Sequence, residues 1–456
     1  MRRTPYLSGD DMHIKTFMKM SVLGFGVTAI SQAMAIDTQQ ASKGFIEESS
    51  LDLLLRNYFM DRNYVHGAEN NYGSTRGGYR REWAQSAILT YQSGFTQGTV
   101  GFGLDVYARG GIKLDGGGGH TGTLLLPIGD DRKSDSSYGS GGATVKMRIA
   151  RTQLAYGDFS PVNPVFWADS TGRLQPQMAH GWRLLSSDVP DVEIDAARFT
   201  SGKPGSGTAT DRTLRSAYGG RLMDSYEYAG GRWEYSKLTA FSFYTSHAED
   251  FWNQYYFGAS HTFPIDKLQN VKTQFNAYRY VDTGQAIAGK VDGLIASLMG
   301  SYTYGAHTFT ATIQKNDSDT PYDYVGFDDG KSTLSNVLNT PMQLEEFQGP
   351  NERVWELRYD VDMVAYGVPG LTFKVQYQQG RGDGSHADPT GDYYNKWGES
   401  SRHWERDIEA RYVVQSGPAK RMNIRLRHAV ARGDSDHFAK DADELRLIVD
   451  YPFKIF

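Results

Sequence analysis

Apolar and polar residues alternate with a period of two through most of the chain. From Thr99 to Ala108, Val100, Phe102, Leu104, Val106 and Ala108 fall on one side, and Thr99, Gly101, Gly103, Asp105 and Tyr107 on the other. The pattern returns at 308–314 (Phe309, Ala311, Ile313), 354–361 (Trp355, Leu357, Tyr359, Val361) and 371–377 (Leu371, Phe373, Val375, Tyr377). It recurs at 422–428 (Met422, Ile424, Leu426) and 444–451 (Leu445, Leu447, Val449, Tyr451). Successive side chains of a strand point to opposite faces, so each segment carries one apolar wall and one polar wall. About eighteen such segments run along the chain, an even number suited to an antiparallel barrel closed on itself.

A soluble β-sandwich alternates too, with its apolar wall inside. Two features favour the inverted arrangement. The polar wall carries charges of both signs, as in Glu356, Arg358 and Asp360, which suits a wet lumen. Aromatics recur at strand ends (Tyr302 and Tyr304, Trp404 and Tyr412, Tyr451), as in the girdles at membrane interfaces. Connections come in two lengths. Tight ones fall at Ala150-Arg151, Tyr235-Ser236-Lys237, Gly305-Ala306, Gly367-Val368-Pro369-Gly370 and Ser416-Gly417-Pro418; long polar ones fall at 109–141, 158–180, 200–215, 315–352 and 378–403. The predicted fold is therefore all-β: a transmembrane antiparallel barrel with short periplasmic turns and long extracellular loops.

Composition narrows the function. Hydrophobic residues are 39% of the 456, with 51 Gly, 29 Tyr and 22 Phe. A helical membrane protein would need several apolar runs of about 20 residues, whereas a barrel needs only every second residue apolar. The cysteine count is zero, which excludes a disulfide scaffold, a thiolate metal site and cysteine catalysis. The formal net charge of -5 argues against a nucleic-acid partner. There is no G-x-S-x-G and no H-E-x-x-H to support a barrel lipase or protease, and the Gly116–Gly119 run lacks the strand–turn–helix setting of a phosphate cradle. No cofactor is called for.

Residues 12–35 read as an export signal: Met12 as start, Lys15 and Lys19 as the basic region, Val22 to Ile30 as the apolar core, and Ala33-Met34-Ala35 as the cleavage site. Residues 1–35 are then upstream sequence and signal, and 36–456 a single barrel domain. Export, a cysteine-free Gly/Tyr-rich chain and a terminal aromatic, Phe456, closing an alternating strand point to the Gram-negative outer membrane. The expected partners are its lipid and, during biogenesis, the barrel assembly machinery that reads Phe456.

Several stretches carry a family resemblance. They are Phe45-Ile46-Glu47-Glu48-Ser49-Ser50 running into Leu53-Leu54-Leu55-Arg56-Asn57-Tyr58, then 91–103 (Tyr91 to Gly103) and Gly111-Ile112-Lys113-Leu114-Asp115-Gly116. Further on come Pro164-Val165-Phe166, 366–373 (Tyr366 to Phe373), 412–420 (Tyr412 to Lys420) and 444–452 (Glu444 to Pro452). Across essentially the whole mature chain the sequence resembles the OprD family of substrate-specific outer-membrane porins. The resemblance implies an 18-stranded barrel with inward-folded loops, working as a monomer or weak trimer. It also implies passive passage of small water-soluble carboxylates (amino acids, peptides, or aromatic and other cyclic acids) along a basic ladder on one lumen wall.

The ladder can also be argued from the residues. Arg425 and Arg427 share the polar face of one strand, Arg411 lies on the strand before it and Lys374 on the one before that; neighbouring strands sit about 4.8 Å apart. Arg offers a planar fork matched to a carboxylate and stays charged in a narrow pore. Arg62 and Arg81 resemble the outer rungs, although Arg80-Arg81 is a doublet and either could be the match. The competing reading is that these arginines brace the wall against Glu356, Asp360, Glu405, Asp407, Glu409 and Glu444.

By the same resemblance, the stiff Pro- and aromatic-rich segment 158–180 is the third loop, folded inward, with Arg173 at the constriction or bound to loop carbonyls. The segment Tyr322-Asp323-Tyr324 also dips into the pore. Asp323 either receives a solute's ammonium or caps a turn. A non-selective diffusion porin is the alternative function.

Overall fold

The structure, a computed structural model, describes residues 37–75, 77–168, 171–327, 338–437 and 439–456; the expected export signal and its cleavage point lie outside the described residues. Eighteen strands form the barrel. In chain order they are β1 Ser50–Tyr64, β2 Tyr79–Gln92, β3 Val100–Asp115, β4 Ser137–Ile149, β5 Thr152–Phe159 and β6 Met178–Ser186. Then come β7 Val192–Lys203, β8 Tyr226–Ser236, β9 Thr239–Ala248, β10 Trp252–Pro264, β11 Gln269–Asp282 and β12 Asp292–Tyr304. The last six are β13 His307–Asp317, β14 Arg353–Asp362, β15 Leu371–Arg381, β16 Arg402–Val413, β17 Asn423–Gly433 and β18 Ala442–Lys454. Each pairs antiparallel with its neighbours in sequence, and β18 returns to β1 in a register running from Asp52↔Lys454 to Tyr64↔Ala442. Closure leaves no free sheet edge, the condition for a sheet to stand in lipid.

The two walls are inverted as expected. Phe102 (56% exposed), Ile313 (62%) and Leu357 (57%) stand on the outer surface, while the polar residues between them point in. In a soluble sandwich this exposure pattern would be reversed. Aromatics band the outer face: Tyr235, Phe263, Tyr304 and Tyr366 near the short turns, and Trp355, Tyr377 and Trp404 in tilted or stacked contact near the long loops.

The turn between β12 and β13 is the two residues Gly305-Ala306, where Gly305 takes φ +57°, a left-handed conformation that costs glycine little. At the other end, the connections are loops: L3 (160–177), L4 (204–225), L7 (318–352), L8 (382–401) and L9 (434–441) concern the lumen.

The lumen is divided by chemistry. Along β7–β11 the inward face is rich in aromatics: Phe199, Tyr226, Tyr228, Tyr256, Tyr278 and Tyr280 are buried in one cluster. Phe166 of L3 and Tyr322 of L7 pack into it. L4 and L7 also join in a small sheet of Leu214–Ser216, Leu222–Met223 and Val325–Phe327. The opposite arc, from β14 through β18 to β2, carries a row of basic side chains on adjacent strands.

Candidate functional site: a basic lumen wall facing two inward loops

Alternation and register together place the basic residues. Directly opposed residues of an antiparallel pair share a face. Arg411 opposes Arg425, Glu409 opposes Arg427, and Arg427 opposes Arg446, so all lie on the inner face of β16–β18. Lys374 opposes Glu409 from β15, on the same face. On β1 and β2, Arg62 opposes Arg80. The expected row Lys374, Arg411, Arg425, Arg427 and Arg62 is thus brought onto one wall.

The structure corrects one rung. Arg81 lies on the outer face of β2 with Trp83, where its Nη2 pairs with Asp61 at 2.6 Å. The lumen-facing member of the doublet is Arg80. It lies against the rings of Tyr72 (4.3 Å) and Tyr64 (5.1 Å) and donates to the Gly122 carbonyl at 3.2 Å. Three further inward arginines extend the row: Arg446 on β18, Arg358 on β14 and Arg56 on β1. Arg358 and Arg446 were available in the sequence, since each stands on the polar side of its alternating segment.

The competing bracing role is realised for part of the wall. Glu444 holds Arg62 (2.6 Å) and Arg446 (2.5 Å) together. Glu409 holds Arg427 at 3.1 Å, Asp360 holds Arg358 at 2.7 Å and Asp450 holds Arg56 at 2.6 Å. Arg411 donates to Asn423 at 2.8 Å, and the Arg425 Nε is buried with no hydrogen-bond partner. Glu405 and Asp407 do other work. They accept the backbone amides of Gln343, Leu344 and Glu345, pinning L7 to β16 at 2.7–3.1 Å.

Both inward loops meet this wall. L3 is held across the lumen by Tyr226 and Tyr278, whose hydroxyls donate to the carbonyls of Val165 (2.7 Å) and Pro164 (2.8 Å). On the other side it is held by Arg56 and Tyr58, which donate to the carbonyls of Arg173 (3.0 Å) and Gly172 (3.2 Å). Arg173 itself donates to the Gly172 carbonyl at 2.7 Å, while its Nε is buried and unpartnered. With Arg62 and Arg80 it lines a cavity of about 110 Å³. From L7, Gln343 bonds Glu444 (3.1 Å) and accepts from Arg446 (3.1 Å). L3 and L7 therefore converge on the stretch of wall around Glu444.

Of the two readings for Asp323, the structure shows the cap. One carboxylate oxygen accepts the amides of Tyr218 (2.9 Å) and Tyr324 (2.8 Å); the other accepts the Gly219 amide (3.0 Å) and the Tyr393 hydroxyl (2.9 Å). It is a buried cap joining L7 to L4 and L8, with no oxygen left for a solute's ammonium. Tyr322 packs on Tyr278 and Tyr280. The Tyr324 hydroxyl donates to Glu346, as does that of Tyr218.

A buried group the sequence reading missed lies where L7 and L9 meet β16. The rings of Phe347, His403 and His437 form a stack, with centroids 4.1 Å and 3.9 Å apart and planes within 20°. His403 meets Glu352 at 2.5 Å and His437 meets Glu345 at 3.1 Å. Gly380 makes room, since a Cβ there would stand 2.0 Å from the Glu352 carboxylate. Ligand atoms of Glu345, His403 and His437 lie within 4.8 Å of one another. Imidazole lone pairs lie in the ring plane, so near-parallel stacked rings do not aim at a common ion; this is a packing device that fastens L7.

A closed barrel with an apolar outer wall, aromatic bands, a charged inner wall and two loops folded inward defines an outer-membrane channel. The chain belongs to the OprD family of outer membrane porins, whose family profile matches residues 43–455. It is 40% identical over 449 residues to Porin D of Pseudomonas aeruginosa, covering 96% of this chain and 99% of the relative. It is 31% identical over 442 residues to the porin-like protein GalP of Pseudomonas putida, covering 96% and 100%. The crystal structure of Pseudomonas aeruginosa OprD superposes with a TM-score of 0.80 at 39% identity, covering 92% of this chain and 99% of that one. Pseudomonas aeruginosa OpdK, solved with vanillate, gives 0.79 at 31%, covering 90% and 100%. Family and fold place the protein in the Gram-negative outer membrane.

Proposed function

We propose that this porin is a selective, passive entry route for small water-soluble carboxylates, drawn along the basic wall from Arg80 and Arg62 past Arg446 and Arg427 to Arg425, Arg411 and Lys374. The observation carrying this reading is the continuity of basic side chains on the inner faces of adjacent strands, met by Arg173 from L3. A row of guanidinium groups beside low-dielectric walls focuses field and raises the local concentration of anions. The relative solved with vanillate, an aromatic carboxylate, supports that solute class. Two loops packed into the lumen favour selectivity over general diffusion. The rest of the reading is that residues 12–35 direct export, Phe456 is read by the barrel assembly machinery, and the porin works as a monomer or weak trimer.

The test is the reversal potential under a salt gradient for the triple variant Arg411→Gln, Arg425→Gln, Arg427→Gln. Coulomb attraction at about 4 Å is roughly 1 kcal/mol in water and roughly 4 kcal/mol at an effective dielectric of 20. Anion preference and carboxylate uptake should fall several-fold, and less so at 1 M salt, where screening acts within about 3 Å. Unchanged ion selectivity in a folded variant defeats the reading.

A further inference from the structure

On the side of L3 that faces the short turns, the inner surfaces of β2 to β6 enclose a cavity of about 270 Å³. It reaches from L3 down to Gln92 and Leu185, near the periplasmic ends of β2 and β6. It belongs neither to the basic wall of β14–β18 nor to the constriction above.

Its chemistry is divided. Ile88, Phe159, Met178 and Leu185 supply an apolar cradle, and Thr90 and Gln153 supply neutral polar groups. The charged groups are mostly satisfied by protein. Asp105 is held by Lys146 (2.5 Å), Asp158 by Tyr107 (2.6 Å) and His180 (2.7 Å), and Arg183 by Asp195 (2.9 Å). Arg109 differs. Its Nη1 donates to the Pro176 carbonyl of L3 at 2.5 Å and its Nε to Ser140 at 2.7 Å, so the guanidinium is held firmly. Its Nη2 is buried without a hydrogen-bond partner, on a residue only 4% exposed. A buried donor with no acceptor costs free energy until one arrives, and a carboxylate is the acceptor that suits a guanidinium best.

We propose that this cavity is a second solute subsite, on the periplasmic side of the constriction, for small carboxylates that carry an apolar or aromatic body. Arg109 anchors the carboxylate and the Ile88–Phe159–Met178–Leu185 surface receives the body. The proposal rests on the uptake reading above and adds to it where a solute pauses after L3 and which solutes pause longest. Acetate, with no body to place in the cradle, gains little; benzoate gains both contacts.

The test uses the intact porin in planar bilayers, with benzoate or acetate added on the short-turn side. Benzoate should interrupt the single-channel current for longer than acetate. Arg109→Gln and Leu185→Trp should each shorten the benzoate interruptions about tenfold, the order expected for one charged hydrogen bond or a filled cradle. Leu185→Trp, which changes no charge, should leave the ion reversal potential unchanged. Arg109 also tethers L3, so Leu185→Trp, which leaves that tether in place, decides if Arg109→Gln alters the open conductance. Benzoate interruptions of wild-type length in Leu185→Trp overturn the subsite. Failure of the uptake reading looks different: the triple variant at Arg411, Arg425 and Arg427 would keep wild-type selectivity while the Leu185→Trp effect persisted.

Discussion

Glu444 is a single carboxylate gripping two guanidinium groups, Arg62 and Arg446, at the point where L3 and L7 converge. Its net effect on the field is to cancel one of the two charges it binds. Glu444→Gln should therefore raise anion selectivity, read as a shift of reversal potential towards the anion value. Removing one partner of a fully buried pair costs about 3–5 kcal/mol, but Gln keeps the shape of the side chain and one acceptor oxygen, so the shift is read in protein first shown to be folded by its heat-dependent gel mobility. Asp323 predicts the opposite kind of outcome. Asp323→Ala strands three backbone amides and a tyrosine hydroxyl, each worth about 1–3 kcal/mol if left unsatisfied. L7 should become cleavable by protease while ion selectivity stays the same. A change in selectivity without loosening of L7 would restore Asp323 as a pore residue. The two differ in how far the sequence reveals them. Arg80 was legible: Trp83 and Leu89 mark the odd positions of β2 as outward, which turns Arg81 out and Arg80 in. The role of Asp323 was not, because its donors come from Tyr218 and Gly219 in L4 and from Tyr393 in L8, distant in sequence.

Strands and loops differ in the same way. A strand's faces follow from a period of two, so the inner wall could be read off before any coordinates. A loop's path depends on which side chains meet it. The stiffness of L3 was legible in its prolines and aromatics, but its anchors, Arg56 and Tyr58 on β1, Tyr226 on β8 and Tyr278 on β11, sit on three separate strands. L7 carries a pH dependence that follows from its packing. Burial raises the Glu346 carboxyl above its ordinary value, against the opposing pull of the Tyr218 and Tyr324 hydroxyls. The packed loop thus favours the protonated acid. Its contribution is complete below the ordinary carboxylate value of about 4.3 and is lost as pH rises through the raised one. The clamp between L7 and L4 should be tightest in acid, and open-channel current noise should grow as pH rises. Glu346→Gln should flatten that slope without abolishing it, since Asp323 is raised by burial in the same direction. An unchanged slope in Glu346→Gln assigns the dependence elsewhere.

For the whole molecule, the decisive event is closure of β18 on β1, since the barrel has no stable half-closed form in lipid. The last residues take part in that seam. The Leu51 amide donates to the Phe456 carbonyl at 3.3 Å and the Ile455 amide to the Leu51 carbonyl at 2.8 Å, while the Phe456 side chain stays exposed. Deleting Phe456 removes one long hydrogen bond, worth about 0.5–1.5 kcal/mol, from a seam that pairs thirteen residues from Asp52↔Lys454 to Tyr64↔Ala442. The finished barrel should hardly notice, and protein refolded in detergent should keep its heat-dependent gel mobility and unfold within a few degrees of wild type. If Phe456 is instead a label read during insertion, the deletion should sharply lower the amount of folded porin in the outer membrane at low expression. The pairing of normal refolding with poor insertion separates recognition from stability. Normal insertion removes the assembly role, and equal failure in detergent makes Phe456 a structural residue of the seam.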